Sequence, residues 1–384
     1  MDENAHFQID FVERLADLPR GDWNACAGVG NPFVSYDFLS CLEDSRSVSA
    51  DAGWLPRHMA ARDGTGRVVG CAPVYVKGHS QGEYVFDQGW ARAYEQAGGR
   101  YYPKLLCAVP FTPVGGPRLL TRAAAVKSAL AEALARLCGN TGLSGAHVNF
   151  TTETDQDALD KAGYLTRLGI QYHWTNAGYE SFDHFLDALT ARKRKAIRRE
   201  RRAAAEAGLR IERLSGNAVT PAHWDAMYAF YQDTGARKWG RPYLNRAFFD
   251  LLGERMAEQV LLAMAYRDGR PIAGALNLIG GDALYGRYWG CVEDVPFLHF
   301  ELCYHQAIEA AIERGLTRVE AGAQGEHKIA RGYLPILTRS AHRLADPGFH
   351  KAVADAVERE RRAVLFERDL LMEENPFRKN MASG

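Results

Sequence analysis

Residues 261–290, LLAMAYRDGRPIAGALNLIGGDALYGRYWG, hold the pattern that decides the fold of this chain. An apolar run is followed by Arg267-Asp268-Gly269, a second run through small residues, a glycine-containing turn and an aromatic third run. Asp-Gly between apolar runs is a strong hairpin signal, because glycine readily adopts the positive φ that such a turn requires. The stretch therefore predicts an antiparallel meander of three strands.

The same order of features occurs earlier in the chain, at residues 57–90, RHMAARDGTGRVVGCAPVYVKGHSQGEYVFDQGW. The Arg-Asp-Gly turn recurs at residues 62–64, and Tyr84 takes the place of Tyr285 on the third strand. A repeat of this length indicates two copies of a domain, because solenoids repeat over much shorter distances. Chance similarity of two meanders is the alternative.

After the meander, each copy continues with the same elements. A helix is predicted at 123–137 and at 300–314, and in the second copy apolar residues at helical spacing form one stripe. Each helix is followed by a short strand, a polar segment and a last strand. The predicted strands are 146–150 and 170–174 in the first copy, and 318–322 and 338–344 in the second.

These elements predict an α/β protein with mixed α+β sheets in two tandem domains. The predicted boundaries are 1–175 for the N-terminal domain, 176–350 for the C-terminal domain and 351–384 for a C-terminal helix and tail. The second domain includes a strongly basic helix at 182–207, and a further helix is predicted at 221–234.

The composition of the 384 residues is that of an ordinary globular protein, with 47% apolar and 24% charged residues. Lysine plus arginine number 47, as do aspartate plus glutamate, which argues against a uniformly basic polyanion binder. The first residues, MDENAHFQID, lack the features of a signal peptide, and no apolar run approaches the roughly 20 residues of a membrane span. Seven scattered cysteines favour a reduced, cytoplasmic protein.

Several stretches carry a resemblance to a known family. They are NPFVSYDFL, HSQGEYVFDQGWARAYEQAG, YYPKLLCAVPFTPVGGPRL, RKRKAIRRERR, DTGARKWGRPYL, LYGRYWGCVEDVPFLHFELCY and EAGAQGEHKIARGYLP, between Asn31 and about Pro335. The chain resembles the acetyltransferase (GNAT) fold in tandem and, more closely, the FemAB-like branch of N-acyltransferases related to peptidoglycan biosynthesis. The resemblance implies two GNAT-like domains and transfer of an acyl group to an amine.

The chain departs from acetyl-CoA-dependent members of that fold before the central helix. Those members have a Gln/Arg-x-x-Gly-x-Gly/Ala loop whose backbone N–H groups bind pyrophosphate. Residues 293–300, EDVPFLHF, have no glycine and begin with two carboxylates. FemAB proteins, which use aminoacyl-tRNA, also lack the standard loop. We therefore expect no tightly bound cofactor, with acyl-CoA or an acyl carrier protein docking as co-substrate through basic side chains.

The start of the central helix offers two general bases, His299 and Glu301. No nucleophile motif is present, so direct attack by the amine is expected. His299 is favoured, because Glu301, His305, Glu309 and Glu313 recur every four residues as an exposed polar face does, which also predicts His305 at the surface. The histidine spacing does not match a zinc motif, so no metal is expected.

The segment 320–328, EAGAQGEHK, follows a predicted strand with small residues and then a polar cluster. Gln324, Glu326 and His327 are predicted to contact substrate. In the FemAB resemblance, a lysine before an aromatic-glycine stretch lies near the reacting centre, and Lys328 fits that pattern as a third catalytic residue that holds a phosphate or a developing oxyanion. A solvated loop is the alternative.

Tyr285, Arg287 and Trp289 alternate along the third strand of the second copy. An arginine between aromatic residues on a core strand is costly to bury without an anionic partner. Tyr285 and Arg287 are therefore predicted to bind an anionic part of the substrate, and an internal salt bridge is the alternative.

Two basic segments are also predicted to bind anions. Lys238, Trp239 and Arg241 combine cations with an aromatic ring in a turn-rich stretch, which suits a nucleotide or phosphate; a loop with Trp239 in the core is the alternative. Residues 192–202 hold eight basic residues and one acid that wrap around a helix. A solvated helix explains them, as do tRNA, CoA phosphates or an anionic membrane surface.

Together these features predict a cytoplasmic N-acyltransferase that joins the acyl group of acyl-CoA or an acyl carrier to a primary amine, with its reaction centre in the second copy and the acceptor between the two lobes. The acceptor is expected to be a small-molecule or lipid amine, such as a long-chain amine in a ceramide-forming reaction, and the enzyme to lie at the periphery of the inner membrane. Two alternatives stay open: an aminoacyl-tRNA-dependent transferase acting on a peptidoglycan precursor, and a non-catalytic tandem-GNAT binding module.

Overall fold

The computed structural model describes residues 7–238, 242–322 and 325–378. The chain divides into two compact units, each built from two separate parts of the sequence. The first unit contains Met1–Gly169 and Leu337–Phe366, and the second contains Ile170–Ile336 and Glu367–Gly384. Within the described ranges, no helix combines the length and apolar character that crossing a bilayer demands.

The strands follow one another in this order: β1 (Gln8–Val12), β2 (Trp54–Pro56), β3 (His58–Arg62), β4 (Val68–Ala72), β5 (Val74–Lys77), β6 (Lys104–Cys107), β7 (Gly145–Asn149), β8 (Leu165–Thr175), β9 (Arg210–Leu214), β10 (Val260–Arg267), β11 (Arg270–Ile279), β12 (Ala283–Cys291), β13 (Arg318–Glu320) and β14 (Leu334–Leu344).

The α-helices are α1 (Arg20–Ala27), α2 (Tyr36–Asp44), α3 (Gln88–Gln96), α4 (Ala124–Asn140), α5 (Glu153–Lys161), α6 (Phe182–Ala188), α7 (Ala191–Glu206), α8 (Pro221–Lys238), α9 (Arg246–Arg255), α10 (Leu298–Phe300), α11 (Gln306–Glu313) and α12 (Pro347–Glu373). A π-helical turn, Glu301–His305, joins α10 to α11. These three pieces form one continuous element, the central helix.

In the first unit, the main sheet has the order β2-β5-β6-β7-β14, and β1, β3 and β4 form a smaller sheet. The β6–β7 pair is parallel, whereas β5–β6 and β7–β14 are antiparallel. Leu130 and Leu134 lie one turn apart on α4 and pack with Leu105, Val148 and Leu159 in one core. The helical spacing of apolar residues on α4 therefore buries one stripe against the sheet.

In the second unit, the order is β8-β13-β12-β11-β10-β9, and the β12–β13 pair is parallel. The central helix packs against this sheet through Ala307, Ile308 and Ala311, which share a core with Leu284 and Val319. These helix residues belong to the apolar stripe predicted from the sequence, so the helix predicted at 300–314 is confirmed.

Both predicted Arg-Asp-Gly turns join antiparallel strands, β3 to β4 and β10 to β11. In the second unit, Asp268 and Gly269 form a two-residue turn with φ of 49° and 77°. In the first unit the loop is longer: Asp63 accepts a hydrogen bond from the backbone of Thr65, and the positive φ of 83° falls on Gly66.

The third strand predicted around Tyr84 is wrong. Tyr84 lies outside any strand with a φ of 58°, and α3 follows it. The third strand of this meander is β6, which pairs with β5. Residues 78–103 are thus an insertion between these strands, whereas β12 follows β11 after a short turn. A short aromatic run is compatible with a strand or a loop, so periodicity did not separate them.

The single basic helix predicted at 182–207 is interrupted. Leu189 is extended and forms a β-bridge with Phe377, and the Thr190 N–H donates to the carbonyl of Pro376 at 2.9 Å. These contacts with the end of the chain separate α6 from α7, and local propensity gives no sign of them.

The domain boundaries predicted at 175 and 350 differ from the two units. The end of β8 pairs with β13 in the second unit, and the end of β14 pairs with β7 in the first unit. Each predicted last strand therefore belongs to the other unit. Sequence order does not reveal this exchange, because strand pairing is non-local.

Candidate active site

The parallel strands at the centre of the second unit are paired over a short length. The register runs from Ala283 opposite Arg318 to Tyr285 opposite Glu320. There β13 ends, whereas β12 continues to Cys291. The later part of β12 is therefore beyond the reach of its parallel neighbour, and ligands often bind at such an end of a parallel pair.

β12 contains a β-bulge at Arg287. Leu276 lies opposite Tyr288, whereas the next residue, Asn277, lies opposite Gly286, so Arg287 is the extra residue. A bulge changes the direction of nearby side chains and is common next to active sites. The alternation predicted for Tyr285, Arg287 and Trp289 is therefore broken.

A cavity of about 130 Å³ lies at this bulge. Its lining comes from β11, β12, the central helix and the segment after β13: Ala275, Leu276, Asn277, Gly286, Arg287, Tyr288, Trp289, His299, Cys303, Tyr304 and Ala321. Whole-ligand pockets usually measure about 300–1,000 Å³. The cavity is therefore smaller than a pocket that encloses a whole ligand.

His299 is half-buried in the wall of this cavity and surrounded by aromatic rings. Its ring centroid lies 5.2 Å from that of Trp289 and 5.3 Å from that of Tyr304, both in edge-to-face geometry. The Tyr304 hydroxyl is in turn hydrogen-bonded to His327 Nε2 at 3.0 Å. The packing fixes the imidazole at the cavity, where it can act as a general base.

The π-helical turn explains why His299 and Tyr304 both line the cavity. Residues five apart lie on different faces of an α-helix, but a π-helical turn closes i to i+5 hydrogen bonds and brings them into neighbouring positions. Such turns are frequent at functional sites. The helical spacing read from the sequence could not predict it.

Glu301, predicted as a general base, is buried and fully engaged. Its carboxylate accepts hydrogen bonds from Arg201 at 3.1 and 3.2 Å and from Gln306 at 2.8 Å. His305, expected at the surface, is also buried, with Nε2 3.3 Å from Glu200. The polar face predicted for this helix is therefore wrong at these two residues, because α7 covers it.

Lys328 is buried but does not line the cavity. Its Nζ donates to the carbonyl of Gly322 at 3.0 Å, and burial lowers its pKa to about 8. The Cys303 thiol, which does line the cavity, is near enough to interact electrostatically with this ammonium group. Glu326 and His327 lie exposed on the same turn.

Arg331 holds this turn in place. It donates to both carboxylate oxygens of Glu200 at 2.6 and 3.0 Å and to the carbonyl of His327 at 2.7 Å. Its guanidinium also lies 3.4 Å from the centre of the Phe300 ring. The turn that carries Lys328 is therefore fixed to α7 and to the central helix.

The other predicted residues lie away from the cavity or outside the described residues. Tyr285 is buried and accepts a hydrogen bond from Arg318 at 3.2 Å, and burial raises its pKa. Trp239, Arg241 and Gln324, together with the side chain of Lys238, are outside the described residues. Of the predicted site residues, the structure thus brings Arg287 and His299 to one cavity.

Asn277 is a cavity residue that the sequence reasoning missed. It is 1% exposed, and its Nδ2 donates to the carbonyl of Leu261 at 3.2 Å. Its Oδ1 has no hydrogen-bond partner within the described part of the chain. A polar residue inside the apolar run ALNLI was the available signal, because a core strand rarely keeps an unsatisfied amide.

Comparison with known proteins gives a family and a fold. The sequence pattern of the FemAB-like family, described as peptidoglycan biosynthesis/recognition, matches residues 14–379. No curated protein sequence matches the chain.

Among solved structures, FemX is 12% identical, with 88% of this chain and 98% of that chain covered and a TM-score of 0.56. A conserved protein of unknown function from Bacteroides thetaiotaomicron is 11% identical, with 88% and 100% covered and a TM-score of 0.52. L-PGS from Bacillus licheniformis is 9% identical, with 92% and 99% covered and a TM-score of 0.50. These likenesses concern the fold, and they confirm the predicted tandem α/β architecture.

Proposed function

The chain belongs to the FemAB-like family, and from that premise we propose that it is an N-acyltransferase acting on a primary amine. The observation that carries the proposal is the acceptor Oδ1 of Asn277, which is buried, unpartnered among the described residues and located in the wall of the cavity. Leaving such an acceptor unsatisfied costs about 1–3 kcal/mol, so the site favours a ligand that donates a hydrogen bond.

In acyl transfer to an amine, an N–H group of the amine can donate this hydrogen bond to Asn277. Nδ2 of Asn277 donates to the Leu261 carbonyl, which leaves Oδ1 to accept from a ligand; Oδ1 lies 3.4 Å from where a Cβ on Gly286, another cavity residue, would be. The acceptor amine would donate to Oδ1 and keep its lone pair for the acyl carbonyl carbon. A hydroxyl acceptor has one proton to donate, so it would lose this contact when it is deprotonated.

His299 acts in this proposal as the general base. The amine nitrogen attacks the acyl carbonyl carbon, a C–N bond forms, and the carbonyl oxygen becomes an oxyanion. His299 takes the proton that the nitrogen loses. The oxyanion then re-forms the carbonyl as the C–S bond of the thioester breaks, and the leaving thiolate takes the proton back from His299. A positioned base of this kind contributes roughly 10²–10⁴-fold to the rate.

Two cations would stabilise the negative charge that develops on the carbonyl oxygen. Arg287 lines the cavity directly because of the bulge. Lys328 interacts electrostatically with Cys303 of the cavity wall and acts through its positive charge, which it keeps near neutral pH because its pKa is about 8. We assign the donor as acyl-CoA or an acyl carrier protein, with the long part of the donor outside the small cavity.

The test is a transfer assay with purified protein, a panel of primary amines and three labelled donors: acyl-CoA, acyl carrier protein and aminoacyl-tRNA. We expect a thioester donor to give product, and His299→Gln to lower turnover by roughly 10²–10⁴-fold with an unchanged melting temperature. Asn277→Leu should raise KM for the amine more than it lowers kcat. His184→Gln, at an exposed histidine of the same unit, is the matched control.

Other results would replace the proposal. Product from aminoacyl-tRNA alone would assign the alternative donor. Full turnover by both His299→Gln and Asn277→Leu would remove this site from catalysis. Amine binding without product from any donor would leave a binding module.

A further inference from the structure

The basic helix α7 is less uniformly charged than its sequence suggests. Arg194, Arg198 and Arg201 each form an ion pair with a carboxylate of the same unit. Arg201 also lies over the ring of Phe182, with 4.4 Å between the guanidinium and the ring centre. These cations are largely neutralised by the protein itself.

The remaining exposed cations form a single line. Arg192, Lys195, Arg199 and Arg202 are exposed, and none of them makes an ion pair with any residue that the structure describes. Their spacing of three, four and three residues places them on one helical face. At 1.5 Å per residue, the line is about 15 Å long. The eight basic residues wrap around the helix as expected, but the four that are exposed and without an ion pair among the described residues share one face.

The opposite face of α7 is held against other residues of the second unit. Ile197 and Ala204 are buried, and Glu200 accepts two hydrogen bonds from Arg331. The helix therefore cannot turn to bury the line of cations, which stays directed at solvent.

Residues 370–377, a segment whose end pairs with the chain just before α7, carry exposed apolar side chains. Leu370 is 48% exposed and Met372 is 37% exposed, near the end of α12. A few residues later, Phe377 forms the β-bridge with Leu189, directly before α7. Cations and exposed apolar side chains together are typical of proteins that bind a bilayer surface.

We propose that this face of α7 docks on the surface of an anionic phospholipid bilayer. The surface of such a bilayer is negatively charged and flat, and a straight line of four exposed cations matches both properties. A single-stranded nucleic acid would be bound with stacking aromatic rings, and residues 191–206 contain none. The proposal is independent of the proposed reaction, because none of these four residues lines the cavity.

The test compares two full-length variants with the same loss of charge in vesicle sedimentation. One is Arg192→Gln, Lys195→Gln, Arg199→Gln and Arg202→Gln, and the control is Arg92→Gln, Arg100→Gln, Arg122→Gln and Lys161→Gln, at exposed positions of the first unit. Vesicles contain either phosphatidylglycerol with phosphatidylcholine or phosphatidylcholine alone. Melting temperatures show whether both variants fold.

We expect the wild type and the control to bind the anionic vesicles, and the α7 variant to bind about 600-fold more weakly, since each of the four basic residues contributes about 5-fold. Binding should also weaken with added salt. Equal binding by the two variants, or equal binding to both kinds of vesicle, would overturn the proposal. Binding of RNA through the same four residues, without vesicle binding, would assign the face to a nucleic acid instead.

Discussion

Both units bury lysines, and Lys104 of the first unit and Lys328 of the second are treated in opposite ways. The first unit also buries Lys77, whose pKa burial lowers to about 7. Lys104 of the first unit is fully buried, and its ammonium donates to Ser80 and Glu83 at 2.8 Å and also to Asp87. Lys328 of the second unit is 2% exposed, and its ammonium donates a hydrogen bond to the Gly322 carbonyl at 3.0 Å.

The pKa values follow from this difference. Burial acts to lower the pKa of Lys104, but the charges of Glu83 and Asp87 outweigh it and raise that pKa above its usual value. For Lys328, burial lowers the pKa to about 8, and within the described ranges no carboxylate pairs with it. Lys104 therefore belongs to a closed ionic cluster, whereas Lys328 keeps a charge that the protein does not neutralise.

The two units also differ next to their parallel strand pairs, which are β6–β7 in the first unit and β12–β13 in the second. In the first unit, residues 78–103 are inserted after β5 and bring Ser80, Glu83 and Asp87 to the Lys104 side of β6. In the second unit, β12 follows β11 without such an insertion, and a cavity remains beside its bulge. The two copies thus differ at corresponding places: an inserted segment supplies carboxylates to Lys104 in the first unit, whereas the second unit has a cavity there.

The largest expected effect that tests this contrast is at Lys104. Lys104→Met would leave the buried carboxylate of Asp87 without its cation and Glu83 with only the Lys77 ammonium, 3.9 Å away, so we expect a loss of about 3–5 kcal/mol in the free energy of unfolding. Urea denaturation at neutral pH measures it. Lys161→Met, at an exposed lysine of the same unit, should change stability by no more than about 0.5 kcal/mol.

A rescue variant sharpens this prediction. Adding Glu83→Gln and Asp87→Asn to Lys104→Met removes the uncompensated charges and should recover part of the lost stability. If Lys104→Met costs less than about 1 kcal/mol, the cluster does not depend on charge pairing, and the contrast between the units fails.

At Lys328 we expect the opposite sign. Its pKa is about 8 when folded, against the usual 10.5 when unfolded, so near neutral pH burial of the ammonium costs about 3 kcal/mol. Lys328→Met removes that cost and loses one hydrogen bond of about 1 kcal/mol, for a net gain of about 2 kcal/mol. Transfer activity should fall in the same variant.

The pH dependence separates this explanation from better packing. Between pH 8 and 10.5 the unfolded wild type binds a proton that the folded protein has released, so wild-type stability rises with pH there. The advantage of Lys328→Met should therefore shrink as pH rises through this range. A pH-independent gain, or a loss of stability at pH 7, would contradict the assigned role.

The smallest effect concerns the open space at the bulge. The nearest atom to a Cβ on Gly286 would be Asn277 Oδ1, at 3.4 Å, so Gly286→Ala should stabilise the protein by about 0.4–1 kcal/mol while it narrows the cavity and slows transfer. On the same strand, a Cβ on Gly290 would lie 2.1 Å from the Phe230 carbonyl oxygen, so Gly290→Ala should destabilise by about 1–3 kcal/mol. Thermal unfolding and turnover of both variants check this; a Gly286→Ala variant with normal turnover would mean that the space is not used.

The sequence predicted the positions of strands, turns and helices better than it predicted which of these elements pair or pack together. Both hairpins with Arg-Asp-Gly turns and both helices after the meanders follow from local signals, because turn chemistry and apolar spacing are properties of short segments. The strand expected at Tyr84 failed where a short aromatic run had no such signal. For the site, the sequence pointed to His299 and Arg287 and missed Asn277 and Tyr304.

By itself, the sequence determined the duplicated plan, the family and the types of side chain available to the second unit, since periodicity, turns and motifs are written in residue order. The tertiary structure alone decided how those side chains are used. The bulge at Arg287, the π-helical turn before Gln306 and the engagement of Glu301 by Arg201 depend on packing between segments distant in the chain. Free energies of burial and pairing arise from such contacts, and no local pattern records them.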